Sequence, residues 1–154
     1  MTIDLVTGKT SQIPMSPQEM FLDFPAVHPA LEGSKMRYGF AMHFDDEHSL
    51  KAKSIVKFDL TKPPGEVVVE EYFFGPQCFG GDCAFVPKAD GDTQNGEGGY
   101  LLTFVRDELA DLSYVEIIDA AQLEAGPVAT VHIPCRVPYG FHSYFLADSP
   151  VDNH

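Results

Sequence analysis

Apolar and polar residues alternate with a period of two along most of this chain, the pattern of β-strands that turn one face toward a core. The clearest example is residues 36–44, where five large apolar side chains share one predicted face: Met36, Tyr38, Phe40, Met42 and Phe44. Alternation of this kind predicts further strands at residues 54–60, 66–74, 99–106, 113–119, 127–133 and 140–146. No segment has the 3.6-residue period of an amphipathic helix.

Turn-forming residues separate these predicted strands. Residues 61–65 read Thr-Lys-Pro-Pro-Gly and predict a hairpin turn. Residues 12–19, with two prolines, and the polar residues 88–98 predict surface loops, the second a flexible insertion too polar to pack. Short strands with turn signals about every 10 residues indicate an antiparallel all-β fold, and a sandwich, a barrel and a propeller all stay open.

Length and charge narrow the class of protein. The chain has 154 residues, which predicts a single segment, 1–154, with one core. Its net charge of −13 is the wrong sign for releasing counterions from a phosphate backbone, so nucleic acid is excluded as a partner. No window is apolar enough for a transmembrane segment. The chain carries no recognisable signal or transit peptide, which predicts an intracellular protein, with plastid and cytoplasm both open.

The three cysteines do not indicate a disulfide framework. Their number is odd, and Cys78 and Cys83 lack the second Cys or His pair that a zinc site usually adds. Buried, inert thiols are the interpretation that we adopt.

One histidine has a setting unlike the others. His142 follows Pro138 and Gly140 inside an apolar and aromatic stretch, so the backbone before it combines a rigid and a permissive residue. From physical chemistry alone, a single histidine of this kind is more often structural than metal-binding.

Several motifs together resemble the carotenoid cleavage oxygenases. Residues 136–142, Arg-Val-Pro-Tyr-Gly-Phe-His, resemble the family's C-terminal signature, and residues 79–87, Phe-Gly-Gly-Asp-Cys-Ala-Phe-Val-Pro, resemble its Phe-Gly-Gly-Glu-x-x-Phe-Val-Pro segment. Residues 99–105 resemble the strand that follows. Asp23-Phe24-Pro25, with Gly33 and Arg37-Tyr38 after it, is similar to the family's Glu-Phe-Pro, Gly and Arg-Tyr pattern. The resemblance runs from about residue 3 to residue 146.

This resemblance implies a fold and a metal site. The family's fold is a seven-bladed β-propeller with Fe(2+) on its axis, held by four histidines, and His142 matches the last of these ligands. Asp82 and Asp23 match glutamates that accept hydrogen bonds from ligand histidines. Both are one methylene shorter than glutamate, so a bond to imidazole is expected to need a backbone shift or a bridging water. Phe141 and Phe24 flank the matched positions and are expected pocket walls.

A second departure from the family pattern is Ser143, which stands where the family usually has Gly. Neither His28, His43, His48 nor His132 lies in a context like that of the other three ligands.

The resemblance therefore predicts the C-terminal blades of a non-heme iron dioxygenase, a partial propeller that is inactive alone because three ligand histidines are missing. Its partners would be O2 and a carotenoid or apocarotenoid, whose carbon-carbon double bond is cleaved. Two alternatives stay open: stilbene-type phenolic cleavage by the same site, and a truncated, non-catalytic β module. A partial propeller also leaves strand edges open, which predicts self-association.

Overall fold

The chain folds almost entirely into antiparallel β-structure. The computed structural model describes residues 2–46, 48, 51–91 and 93–147. In these residues the strands are β1 Thr2–Ile3, β2 Thr10–Ser11, β3 Leu22–Ala26, β4 Tyr38–Phe44, β5 Ala52–Asp59, β6 Val68–Phe73, β7 Cys78–Pro87, β8 Gly99–Asp107, β9 Leu112–Asp119 and β10 Pro127–Ile133. Two 3-10 helices span Pro29–Leu31 and Leu123–Ala125. The all-β prediction is confirmed.

Eight of the strands form two consecutive four-stranded meanders. Meander A has the order β3-β4-β5-β6 and meander B the order β7-β8-β9-β10, with every neighbouring pair antiparallel. A single residue pair, Ala52 with Gly80, joins β5 to β7. Strands β1 and β2 form a separate two-stranded sheet. The first strand of meander A is β3 and its last is β6, and the first strand of meander B is β7 and its last is β10.

The main core lies where side chains of the two meanders pack together. Phe40 and Met42 of β4 are at most 1% exposed and belong to the same buried cluster as Leu101, Val105 and Ile118 of meander B. Complete burial of each such side chain stabilises the fold by about 1.5–3 kcal/mol. A smaller cluster covers the other face of meander A: Ala41, Val56, Phe58 and Val67.

Gly80 shows how closely the core is filled at the junction of the meanders. A β-carbon at this position would lie 2.6 Å from the ring of Phe74 and 3.1 Å from the Met42 methyl group. These distances are shorter than van der Waals contact, so the packing of Phe74 requires a residue without a side chain here.

Most predicted strands are confirmed with bounds shifted by one or two residues, and β10 coincides with its prediction at residues 127–133. The predicted apolar face of residues 36–44 is also confirmed for Phe40, Met42 and Phe44, which are buried. The turn at residues 61–65 joins β5 to β6, and Gly65 adopts the left-handed conformation there, with φ of 91°.

The prediction of a strand at residues 140–146 is wrong, and residues 88–98, which form a loop as predicted in their described part, do pack against the fold. Residues 140–146 form no strand; they belong to an irregular segment that crosses meander B. The loop 88–98 is not free of packing, because Glu97 forms a 2.9 Å ion pair with the buried ammonium of Lys57, and Asn95 accepts a backbone hydrogen bond from Tyr38. Polar residues pack here because the buried lysine supplies a partner of opposite charge.

The expected burial of two cysteines is confirmed. Cys78 and Cys83 are buried, and burial raises the pKa of the Cys83 thiol to about 12. A thiol with so high a pKa is protonated at neutral pH and is a poor nucleophile and ligand. Among the described residues, no helix is long and apolar enough to cross a membrane.

One carboxyl group lies inside the core without full hydrogen bonding. Glu116 of β9 is 4% exposed; its Oε1 accepts a 3.3 Å hydrogen bond from the Tyr72 hydroxyl, and its buried Oε2 has no hydrogen-bond partner among the described residues. Burial raises the pKa of Glu116 from 4.5 to about 7. The acid is therefore neutral in the folded protein at pH values where the unfolded chain carries its charge.

We predict that Glu116 makes the fold less stable as pH rises. The folded protein holds this proton up to about pH 7 while the unfolded chain loses it near pH 4.5, so the free energy of unfolding should fall by about 2–3 kcal/mol across that interval. In urea titrations at about pH 5 and pH 8, Glu116→Gln should lose this part of the pH dependence. Glu124→Gln, at an exposed position, is the control. Equal pH dependence in the two variants would contradict the prediction.

Candidate metal-binding site

Both candidate carboxylates lie at a β-bulge in the first strand of a meander. In β3, the three steps from Asp23 to Ala26 oppose the two from Met42 to Phe40. In β7, the three steps from Gly80 to Cys83 oppose the two from Val105 to Thr103. An extra residue in one strand bends it and changes the direction of the local side chains, which is why bulges are frequent beside functional sites. Both aspartates therefore lie at a bulge, Asp23 as the paired residue that begins it and Asp82 between its two paired ends.

The bulge in β3 holds Phe24 in an unusual conformation. Phe24 has φ of 51°, in the left-handed region that residues other than glycine rarely adopt, and its ring is nevertheless 8% exposed. Strain of this kind persists only where the surrounding structure enforces it, and it is frequent at functional sites.

The segment after β10 returns to β7 and passes close to its bulge. A β-carbon at Gly81 would lie 2.9 Å from the carbonyl oxygen of Gly140 and 3.0 Å from its Cα. The backbones can approach to this distance only because position 81 is a glycine. This approach brings His142 to Asp82, the next residue along β7.

Asp82 contacts both His142 and the residue that follows it. The Nδ1 atom of His142 lies 3.3 Å from Oδ2 of Asp82, and the backbone N–H of Ser143 donates to the same oxygen at 3.4 Å. The Ser143 hydroxyl donates to the Asp82 carbonyl at 3.4 Å, and the buried Thr103 hydroxyl donates to that carbonyl at 3.1 Å. Asp82 thus reaches the imidazole directly, at a distance longer than the usual 2.7–2.9 Å for a charged pair.

A cluster of three rings surrounds this contact. The ring of Phe24 packs edge-to-face on Phe141 at 5.2 Å and on His142 at 5.3 Å, and Phe141 lies 4.6 Å from His142. Phe44 supports Phe24 from the core side at 5.4 Å. Both phenylalanines expected as pocket walls therefore contact the candidate ligand. The His142 side chain is 69% exposed, so the imidazole edge opposite Asp82 is accessible.

Asp23 has a different environment from Asp82. Its Oδ1 accepts a 2.8 Å hydrogen bond from the backbone N–H of Phe24, and the side chain has no other hydrogen bond to the described residues. The structure therefore brings together four of the five candidate residues: Asp82, His142, Phe24 and Phe141. Asp23 is adjacent in sequence to Phe24, and among the described residues it forms no hydrogen bond to His142.

An open cleft adjoins these residues. It has a volume of about 650 Å³ and lies between β3, β7 and the segment after His142. Pro25, Ala26 and Phe85 line one side, and Tyr144 and Phe145 line the other. Its surroundings are mostly apolar, which suits a hydrophobic ligand.

The described residues do not make a complete metal site. In residues 2–46, 48, 51–91 and 93–147, no group of three or more His, Cys, Asp or Glu side chains could hold a metal ion. Iron in a protein needs several donors around it, and this part of the chain offers His142 and its carboxylate partner. The described residues therefore fit one histidine ligand of an iron site, with its carboxylate partner, and not the complete set of ligands.

Sequence reasoning missed the features that bring Asp82 and His142 together. The bulge at residues 80–83 and the contact between Gly81 and Gly140 have no local signal beyond the glycines themselves. Ser143, which departs from the family pattern, uses its backbone N–H and its hydroxyl to bind Asp82. The hydrogen bond from Thr103 to Asp82 follows from the pairing of β8 with β7, which no local sequence pattern indicates.

Comparison with known proteins identifies the family of the chain. The sequence pattern of the RPE65 family, retinal pigment epithelial membrane protein, matches residues 1–147. The carotenoid 9,10(9',10')-cleavage dioxygenase 1 of Pisum sativum is 37% identical over 96% of this chain and 28% of its own length. The probable carotenoid cleavage dioxygenase 4, chloroplastic, of Arabidopsis thaliana is 36% identical over 97% of this chain and 25% of its own length.

Solved structures give the same answer for the fold. Cobalt-substituted Synechocystis ACO, an apocarotenoid oxygenase, superposes with a TM-score of 0.76 and 26% identity, over 91% of this chain and 28% of that one. That enzyme is a β-propeller, so meanders A and B correspond to propeller blades and this chain forms part of a propeller. The chain spans about a quarter of the length of the proteins that it matches. Its strands, its motifs and its sequence all agree, and the chain belongs to the RPE65 family of carotenoid cleavage oxygenases.

Proposed function

We propose that this chain supplies the fourth iron-ligand histidine, His142, of a carotenoid or apocarotenoid cleavage dioxygenase. The observation that carries the proposal is the contact between His142 Nδ1 and the Asp82 carboxylate. A carboxylate that accepts a hydrogen bond from Nδ1–H fixes the tautomer and leaves Nε2 free to bind a metal. The reaction of the complete enzyme would be oxidative cleavage of a carbon-carbon double bond by O2 to two carbonyl products.

The remaining residues of the site have roles that follow from their contacts. Phe24 and Phe141 pack on two sides of the imidazole and restrict its rotation. Asp23, at the corresponding bulge of β3, is proposed to orient another ligand histidine, one supplied by a part of the protein outside this chain. The whole chain, 1–154, would then act as a single segment of that propeller.

The surroundings of His142 favour a long apolar substrate. The adjoining cleft is lined by Pro25, Phe85, Tyr144 and Phe145, which offer apolar contact along the length of a polyene. The names of the relatives from pea and Arabidopsis also refer to carotenoid cleavage. Part of their family is labelled chloroplastic, so a plastid location is included in the proposal.

Two observations favour a second candidate function, that of a non-catalytic β module. Among the described residues, no group of three or more His, Cys, Asp or Glu side chains could hold a metal ion. In addition β10, the outer strand of meander B, has exposed residues along most of its length, among them Val128 and Val131. An open apolar edge of this kind favours pairing with another strand, so association with a second copy belongs to this alternative.

We predict that the isolated chain does not hold iron stoichiometrically. One imidazole cannot provide the affinity of a site with several donors. After incubation with Fe(2+) under anaerobic conditions and gel filtration, elemental analysis should find well below about 0.1 iron per chain, and His142→Ala should give the same value. About one iron per chain, lost in His142→Ala, would mean that this chain carries a site of its own.

A second prediction tests catalysis in a complete propeller. Residues 2–147 replace the corresponding segment of the pea dioxygenase, and cleavage of an apocarotenoid is followed by the loss of polyene absorbance. His142→Ala should reduce the rate at least about 100-fold, and Asp82→Asn about 10- to 100-fold, because a metal ligand and its orienting partner are lost. His132→Ala, an exposed histidine on β10, is the matched control.

The expected pattern requires an active parent chimera. If that chimera binds iron and cleaves the substrate, and His142→Ala still does so at the full rate, His142 is not the ligand. An inactive, iron-free parent would support the non-catalytic module.

A further inference from the structure

The segment that carries His142 has little support from the backbone. Across residues 134–147, no hydrogen bond joins two backbone groups of residues that the structure describes. The segment is held through side chains instead: Val137 donates its backbone N–H to the Ser113 hydroxyl at 3.1 Å, and Asp82 binds His142 and Ser143. A segment held in this way depends on each side-chain contact for its position.

A further side-chain contact involves Tyr139, three residues before His142. The Tyr139 hydroxyl donates to Oε1 of Glu108, and the same oxygen accepts a 2.7 Å bond from the ammonium of Lys51. The ammonium also lies over two aromatic rings, 4.8 Å from the centre of Phe79 and 5.4 Å from that of Tyr139. We call Lys51, Glu108 and Tyr139 the tyrosine clamp.

The clamp connects three parts of the fold. Lys51 directly precedes β5 of meander A, and Glu108 directly follows β8 of meander B. Tyr139 belongs to the returning segment, and its ring packs on Phe79 of β7 at 6.5 Å. The segment is therefore fixed at the point where both meanders meet.

The charges of the clamp reinforce one another. The hydrogen bond from Lys51 lowers the pKa of the Glu108 carboxyl, and the bond to Glu108 raises the pKa of Lys51. Both groups are therefore ionised throughout the neutral pH range. An exposed ion pair contributes little to global stability, so its main effect is local: it determines where Tyr139 lies.

We propose that Lys51 and Glu108 are positioning residues that hold His142 against Asp82 by fixing Tyr139. Only Gly140 and Phe141 separate Tyr139 from His142, and three residues span at most about 11 Å. Gly140 is the flexible element between the two, and it lies against Gly81. With Tyr139 fixed, the imidazole is held near Asp82; without it, the segment can leave β7. The inference rests on the proposed function, in which His142 is a metal ligand whose position matters.

The experiment uses the 154-residue chain without metal or substrate. Backbone 15N relaxation gives order parameters for Gly140, Phe141 and His142, and imidazole 15N shifts above about pH 8 give the share of the Nδ1–H tautomer of His142. In the parent chain we expect order parameters of about 0.85 and an excess of the Nδ1–H tautomer. Tyr139→Phe, which keeps the ring and loses the hydroxyl, should lower the order parameters below about 0.6. It should also shift the tautomer ratio of His142 toward that of free histidine.

Tyr144→Phe is the matched control, because it removes the hydroxyl of an 86% exposed tyrosine from the same segment. It should leave both measurements unchanged. Lys51→Met should reproduce the effect of Tyr139→Phe, whereas Lys51→Arg, which keeps the charge, should retain order. The midpoint of thermal unfolding should move by less than about 2 °C in all variants.

Three results would overturn the inference: low order parameters already in the parent, unchanged order in Tyr139→Phe and Lys51→Met, or a loss of order that accompanies a general drop in thermal stability. Because none of these measurements involves iron or a polyene, a failure here is separate from a failure of the proposed function. His142 could still be a ligand, held by other contacts.

Discussion

The candidate site depends on the extra residue that interrupts the pairing of β7 with β8. Gly80 and Cys83 are both buried although an odd number of steps separates them, so the register shift between them moves the alternation of the two faces by one residue and lets Asp82 contact the segment returning from β10. A regular strand would oppose each residue to one partner and alternate strictly between the two faces. The bulge relaxes this alternation at one point, and the contact with His142 follows from it.

The same device occurs in β3, which gives the two meanders a common plan. Each one begins with a strand that has a bulge, with Asp23 bordering the bulge in β3 and Asp82 inside the bulge in β7, and the hydrophobic core lies between the meanders. The core fixes how the meanders face each other, and the bulges then determine which polar groups lie at their first strands. His142 belongs to neither meander, so it has to be brought back and held there by side chains.

Much of the fold could be predicted from the sequence because a strand with one buried face alternates apolar and polar residues, a pattern visible in the local sequence. Residues 127–133 and 113–119 alternate in character, and both form strands close to the predicted bounds. Residues 140–146 also alternate in part, yet they form no strand, because no neighbouring strand offers them backbone partners. Strand β7, which contains two adjacent glycines and a bulge, breaks the alternation and had no physical signal of its own; only its resemblance to a family motif drew attention to it.

The sequence by itself determined the all-β class, the position of most strands and the family, since these depend on local pattern and on motifs that are read directly. It also singled out Asp82, His142, Phe24 and Phe141, which the tertiary structure brings together. Only the tertiary structure decided that Asp82 reaches His142 directly, that Asp23 does not, and that Glu108 bonds both Lys51 and Tyr139. The physical reason is that these contacts join residues 31 to 60 positions apart along the chain. Their distances depend on strand register and on packing between meanders, which no local pattern records.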